Sequence, residues 1–149
     1  MSSDRSKPEI TLRPAAPEDG PAVAALITNL GYPTTAAQMA ARLDRIAEQE
    51  AYATFVALGD GTLLGVIGVS HSLCYESDAP AGRILALSVD PQAQRQGVGA
   101  ALVERAEAWL KARGATAVIV SSRNERQAAH RFYERQGYAA TGLRFKKAL

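Results

Sequence analysis

The sequence is poor in cysteine, in aromatic side chains and in net charge. With Cys74 as its single cysteine, the chain can form neither an intrachain disulfide nor a metal site built from several cysteines. Aromatic residues make up 6% of it and the formal net charge is +2, so no basic surface for nucleic acid is expected. The longest apolar runs, such as residues 63–69, fall far short of the roughly 20 residues that cross a bilayer. We therefore expect no metal, no nucleic-acid partner and no membrane partner.

The remaining composition is that of one globular domain. Hydrophobic residues are 47% of the 149 positions, which is enough for a substantial core. Residues 1–8 are polar and contain no apolar stretch of the kind found in secretory signals. We expect a flexible tail over 1–8, one domain over 9–149 and a cytoplasmic protein.

Hydrophobic periodicity predicts strands and helices around one central sheet. Strands are predicted over residues 10–15, 51–58, 62–73, 83–89 and 116–122, with room for two short strands in 138–149. Four helices are predicted, ending near Gly31, residue 47, Arg113 and Gly137. The predicted fold class is α+β (mixed α/β), with a twisted, mostly antiparallel sheet of about six or seven strands flanked by four helices.

Two local signals set element boundaries within this pattern. Thr35 followed by Gln38 has the form of a capping box at the start of the second helix. Gly59-Asp60-Gly61 separates two apolar runs and predicts a hairpin turn.

The clearest functional signal is the junction at residues 94–99, Gln-Arg-Gln-Gly-Val-Gly, between an apolar strand and a helix. The first N–H groups of a helix lack intrahelical acceptors and carry the positive end of its dipole. Glycines there let a ligand approach the backbone, and the amide and guanidinium side chains add donors. The junction predicts a phosphate or pyrophosphate site. The alternative is a turn in which Gly97 ends the loop and Gly99 packs on the sheet.

Two well-known phosphate motifs fit this junction poorly. A Walker A loop requires Lys-Ser or Lys-Thr after its last glycine, and neither follows here. A dinucleotide fingerprint requires Gly or Ala where this chain has Leu102, and an acid after the next strand, which ends in serines. Arg123 in that region leaves an NADP-binding alternative open.

Residues 87–114 resemble motif A of the GNAT superfamily of N-acetyltransferases. Its pattern Q/R-x-x-G-x-G/A is met by Gln94, Gly97 and Gly99, and Val89-Asp90-Pro91 resembles the strand end before it. Residues 124–138, NERQAAHRFYERQGY, resemble the family's next motif. The resemblance covers essentially the whole chain, most specifically 85–138. It implies a sheet whose fourth and fifth strands splay apart.

The same resemblance implies acetyl-coenzyme A as cosubstrate and no metal. The pyrophosphate would lie on the N–H groups from Gln96 to Ala100, with Gln94 and Arg95 alongside. The pantetheine arm would pair with the backbone of Leu87 and Val89 as an added strand. A backbone N–H near Leu87 or Ser88 would stabilise the oxyanion. The implied cofactor-binding residues are Leu87, Ser88, Val89, Gln94, Arg95, Gln96, Gly97, Val98, Gly99, Ala100 and Asn124.

The implied chemistry is direct attack by a primary amine on the thioester in a ternary complex. Tyr133 stands where the family places the acid that protonates the coenzyme A sulfur; a place in the core is its alternative role. Strand 83–89 carries no carboxylate, a departure from the family pattern, so the candidate bases are Glu76, acting through water, and His71. Because of this departure, the alternative function is a non-catalytic sensor that binds acyl-coenzyme A on the same fold. The acceptor would be a small-molecule or peptide amine, and family members are often homodimers.

Overall fold

The computed structural model describes residues 9–121 and 127–149. Within them are β1 (Ile10–Pro14), α1 (Gly20–Asn29), α2 (Ala36–Ala47), β2 (Tyr52–Gly59), β3 (Thr62–Ser72), β4 (Ala81–Val89), α3 (Val98–Ala112), β5 (Val118–Val120) and α4 (Gln127–Arg135). The chain forms two compact units, the first ending at Ile119 and the second comprising Val120–Leu149. The α+β class and the four helices are confirmed.

The strands form one sheet in the order β1-β2-β3-β4-β5. Each of the first four pairs antiparallel with its neighbour in sequence. Asp60 and Gly61 connect β2 to β3 with φ values of 51° and 78°. Left-handed conformations at both positions give the hairpin turn whose twist matches the strands, so the predicted turn is confirmed.

The sheet is covered on both faces, and glycines set how closely α3 approaches it. Val66 belongs to a buried cluster with residues of α1 and α2, including Val23 and Leu43. Its neighbour Gly65 points to the opposite face, where an added Cβ would lie 3.0 Å from the side chains of Val98 and Leu102. Because a Cβ this close is tighter than most real Cβ contacts, any larger residue at position 65 would push these side chains of α3 away by a few tenths of an ångström.

The predicted six or seven strands are not confirmed, since the described residues contain five. Residues 138–149, where two further strands were expected, form none. Leu143 and Phe145 alternate there as in a strand, but they are 82% and 88% exposed. A strand is stabilised by pairing and by burial of one face, and this segment lacks that burial.

An ion pair fixes the turn between β1 and α1. Asp19, 8% exposed, accepts hydrogen bonds from Arg13 Nη1 at 2.8 Å, from Arg13 Nη2 at 2.9 Å and from the Ala16 N–H at 2.8 Å. The Arg13 hydrogen bonds are the main cause that holds the pKa of Asp19 below its usual 3.8. The stabilisation by this ion pair is therefore present at pH values above 3.8 and is lost as the pH falls through the lowered pKa of Asp19.

We expect Asp19→Ala to reduce the free energy of unfolding at pH 7 by about 1–2 kcal/mol, discounted because Arg13 is partly exposed. Urea unfolding at pH 7 and pH 3 measures this. The variant should lose less stability than the wild type on acidification, since the titrating carboxylate is gone. Equal acid sensitivity of the two proteins would contradict this role for the pair.

Candidate functional site

The chain passes from β4 to α3 through a short turn that ends at Gly97, the N-cap residue of the helix. Gly97 has φ 83° and ψ 6°, a left-handed conformation that favours glycine. A Cβ built on it would meet no atom within 4 Å, so the space beside this residue is open. No side chain caps the helix start, unlike a helix that begins with Ser, Thr or Asp.

The start of α3 presents backbone donors to this space. The Ala101 N–H donates to the Gly97 carbonyl at 3.0 Å and forms the first turn of the helix. The N–H groups of Val98, Gly99 and Ala100 precede it and have no acceptor within the helix. The side chain of Val98 is buried and fixes the helix end against the sheet. This arrangement suits an anion, because the helix dipole is positive here.

Two side chains of the turn shape the approach to these donors. Gln94 Nε2 donates to the Val89 carbonyl at 3.2 Å, which ties the turn to the end of β4. Arg95 has φ 66°, a conformation that costs a non-glycine residue about 1 kcal/mol. Its side chain is exposed, as is that of Gln94, while Gln96 is half-buried. Sequence reasoning did not foresee the hydrogen bond from Gln94 to the strand.

The register of β3 and β4 determines which backbone groups of β4 face away from β3. The Asp90 N–H donates to the Leu64 carbonyl at 2.7 Å. Since hydrogen-bonded and non-hydrogen-bonded pairs alternate along antiparallel strands, Ser88 also faces β3, whereas Leu87 and Val89 face outward. The N–H and C=O groups of Leu87 and Val89 therefore lie on the side of β4 opposite β3.

A bulge interrupts β4 just before these residues. Gly68 lies opposite Ala86 while Val69 lies opposite Ile84, so Leu85 has no partner in β3. A bulge of this kind bends the strand and increases its local twist. It changes the direction of β4 immediately ahead of Leu87.

β5 lies beside the beginning of β4. The Gly82 N–H donates to the Ala117 carbonyl at 3.2 Å, and β5 then extends over three residues, whereas β4 extends to Val89. The predicted strand over 116–122 is thus shorter than expected. That β4 and β5 splay apart stays a prediction.

Ser88 differs from the other predicted cofactor residues of β4. It is 6% exposed, and its hydroxyl donates to the Leu26 carbonyl at 2.9 Å. This bond joins α1 to the sheet, and the Ser88 backbone faces β3. Of the two candidate oxyanion donors, Leu87 has the N–H that faces outward.

A known protein family matches most of the chain. Residues 23–138 match the model of the acetyltransferase (GNAT) family. The chain belongs to the GNAT family. It is accordingly an N-acetyltransferase that uses acetyl-coenzyme A as its acetyl donor.

One relative supports this assignment, and solved structures share the fold. The chain is 31% identical to an aminoalkylphosphonate N-acetyltransferase of Salmonella typhimurium over 95% of its own length and 93% of the relative. Its fold matches a transcriptional regulator from Bacillus halodurans with a TM-score of 0.85 at 22% identity, covering 95% and 100% of the two chains. It also matches the aminoglycoside N-acetyltransferase AAC(6')-Iy in complex with CoA, with a TM-score of 0.83 at 16% identity and 95% coverage of both chains.

The candidate acid of this GNAT chain, Tyr133, lies on α4. Its ring packs edge-on against Phe132 at 5.3 Å and against Tyr138 at 5.8 Å between ring centroids. Burial raises the pKa of Tyr133 above its usual 10.0. The hydroxyl is therefore protonated throughout the neutral range, as a proton donor must be.

Neither candidate base lies beside the junction along β4. His71 is paired with Gly82, and its ring lies 5.5 Å from that of Trp109 in the second half of α3. Gly82 is five residues from Leu87, or about 16 Å along the strand. Glu76 is exposed in the loop that enters β4 at Ala81, the end opposite the junction.

The remaining expectations concern Asn124, metal ions and membrane-spanning helices. Asn124 lies outside the described residues. Within the parts of the chain that the structure describes, no three His, Cys, Asp or Glu side chains are grouped to hold a metal. The helices of those parts include none long and apolar enough to cross a membrane.

Proposed function

We propose that this GNAT enzyme transfers the acetyl group directly from acetyl-coenzyme A to a primary amine of a small molecule, within a ternary complex at the β4–α3 junction. The observation that carries the proposal is the left-handed Gly97, with open space beside it and uncapped helix N–H groups behind it. The outward-facing backbone of Leu87 and Val89 is its second support.

The binding roles follow from these positions. The N–H groups from Gly97 to Ala100 hold the diphosphate, and Arg95 contributes a positive charge beside it. The Leu87 carbonyl and the backbone of Val89 pair with the amides of the pantetheine arm as an added strand would, which leaves the Leu87 N–H for the thioester oxygen. The Val89 carbonyl already accepts a hydrogen bond from Gln94, so its second lone pair takes this role.

The chemistry requires an unprotonated amine, a donor for the thioester oxygen and a proton for the departing sulfur. The Leu87 N–H supplies the oxygen's hydrogen bond as its negative charge develops. Tyr133 gives its phenolic proton to the thiolate when the carbon–sulfur bond breaks. Because Glu76 lies beyond the other end of β4, the proton that the ammonium group loses reaches it through a chain of waters.

The proposed acceptor is a small molecule with a cationic amine. The name of the Salmonella relative specifies an aminoalkylphosphonate, which is such a molecule. Glu76 and Asp78 are exposed in the loop before β4, where their charges attract a cation. A peptide amine is the other acceptor class that the assay must include.

We also propose that the chain forms a homodimer. Leu143, Phe145 and Leu149 are 82%, 88% and 116% exposed in the segment after α4, which forms no strand of its own. Apolar side chains exposed in this way are stabilised when a second copy covers them. Sedimentation should then give twice the 15.8 kDa of one chain.

A panel of amines tests the proposed function. Thiol release from acetyl-coenzyme A is measured with aminoalkylphosphonates, aminoglycosides, polyamines, amino acids and a lysine peptide, against a control without amine. We expect steady turnover with at least one small-molecule amine. Coenzyme A binding without turnover on any amine would favour the acyl-coenzyme A sensor, and turnover confined to the peptide would overturn the proposed acceptor class.

A further inference from the structure

A cavity of about 360 Å³ lies at the edge of the sheet, away from the β4–α3 junction. β1 ends at Pro14, opposite Phe55, whereas β2 begins three residues earlier, at Tyr52, and the cavity opens beyond this end of β1. The last turn of α2 and the middle of α3 form its other walls. A volume of this order is typical of small-ligand pockets.

The lining combines an apolar surface with one charge. Pro14, Leu43, Ile46 and Phe55 contribute apolar walls, and Arg105 is the only charged residue among the described residues that line the cavity. The Arg105 guanidinium carbon lies 4.5 Å from the centre of the Phe55 ring, a cation–π contact that holds the side chain in place. Because this described lining includes no acid, no carboxylate of the cavity wall neutralises Arg105.

Trp109 is another aromatic wall of the cavity, and two side chains pack against its ring. The Arg113 guanidinium carbon lies 3.9 Å from the centre of its ring, and His71 packs at 5.5 Å. Arg105 and Trp109 are four residues apart and project from the same face of α3. The half-buried Trp109 ring thus lies one helical turn from the exposed Arg105 guanidinium, which stacks on Phe55.

We propose that this cavity binds a small aromatic carboxylate. The apolar walls and the Trp109 ring accept a flat hydrocarbon body, and the Arg105 guanidinium presents two parallel N–H donors to the carboxylate. Charge complementarity selects an anion, since the described lining contains a cation and no acid.

The site is separate from the acetyl-transfer junction. Arg105 is seven residues along α3 from Val98, or about 10 Å. β2 is two strands from β4, again about 10 Å. Occupation of the cavity therefore does not depend on the proposed function, and the two can fail independently.

Trp109 is the only tryptophan in the chain, so its fluorescence reports directly on the cavity. The probe is 3-phenylpropionate, and 3-phenylpropanamide is its neutral counterpart. We expect a saturable change with the acid, at least tenfold weaker binding of the amide, and no more than a twofold change in either affinity when coenzyme A is saturating.

Two arginine variants test whether the charge of Arg105 binds the carboxylate. Arg105→Gln should weaken binding of the acid at least tenfold without affecting the amide. Arg45→Gln, an exposed arginine on α2 outside the lining, is the matched control and should bind as the wild type does. Ala47→Leu adds three carbons to the cavity wall with every charge retained, and should weaken binding of acid and amide alike at least tenfold even if Arg105→Gln does not fold.

Several outcomes would overturn the proposal. These are linear, collisional quenching in place of saturation, equal affinity for acid and amide, equal loss in the two arginine variants, or displacement of the probe by coenzyme A.

Discussion

Replacing Tyr133 by Phe is expected to lower kcat about 100-fold, the usual scale for a lost acid–base group. The phenylalanine ring preserves the contacts with Phe132 and Tyr138 and removes only the hydroxyl. The departing thiolate then has no proton donor, whereas coenzyme A affinity should stay within twofold. The measurement is steady-state turnover with the best amine of the panel, combined with calorimetric titration of coenzyme A.

Tyr138→Phe is the matched control, because it deletes the same hydroxyl from the adjacent ring. It should retain turnover within a few-fold. The pH profile is a second readout: burial raises the pKa of Tyr133, so the wild type should show no alkaline loss of activity from this group below pH 10. Wild-type turnover in Tyr133→Phe, or equal losses of turnover in both variants, would mean that Tyr133 serves only in packing.

Gly97→Asn is expected to weaken coenzyme A binding about 30-fold, or about 2 kcal/mol. Asparagine tolerates the left-handed conformation of Gly97 better than most residues, so backbone strain contributes little. A Cβ at this position meets no protein atom within 4 Å, so the protein itself has room for the new side chain. The loss arises because that side chain occupies the space in which the diphosphate approaches the backbone.

Gly61→Asn is the control that distinguishes obstruction of the ligand from strain in the backbone. Gly61 has φ 78°, and a Cβ added to it would meet no atom within 4 Å, so it matches Gly97 in both respects, but it lies in the β2–β3 turn. Both variants should show similar thermal stability, and only the Gly97 variant should lose affinity. Unchanged affinity in Gly97→Asn would mean that the ligand does not approach this residue.

Features determined by neighbours in the sequence were predictable. Thr35 and Gln38 form the expected reciprocal capping box, with the Gln38 N–H donating to Thr35 Oγ1 at 3.1 Å and the Thr35 N–H donating to Gln38 Oε1 at 2.9 Å. α3 begins directly after Gly97, and the chain turns at Gly114 with φ 90° behind its last residues. Such signals involve residues within one helical turn of each other, so periodicity and composition reveal them.

Features that depend on cross-strand register were not predictable. The unpaired Leu85 in β4 has no local marker, because a bulge arises from how two strands align over their full length. The burial of Ser88 under α1 depends on a hydrogen bond to a residue 62 positions away. For the same reason, the distance of His71 from Leu87 became evident only from the pairing of β3 with β4.

The most direct test of the anion site is an NMR titration of ¹⁵N-labelled protein with coenzyme A and, separately, with pantetheine. We predict that coenzyme A shifts the amide signals of Gly97, Gly99 and Ala100, whereas pantetheine, which lacks the diphosphate, shifts Leu87 and Val89 but leaves the helix start unchanged. Unshifted amides at Gly97–Ala100 with coenzyme A bound would contradict the account.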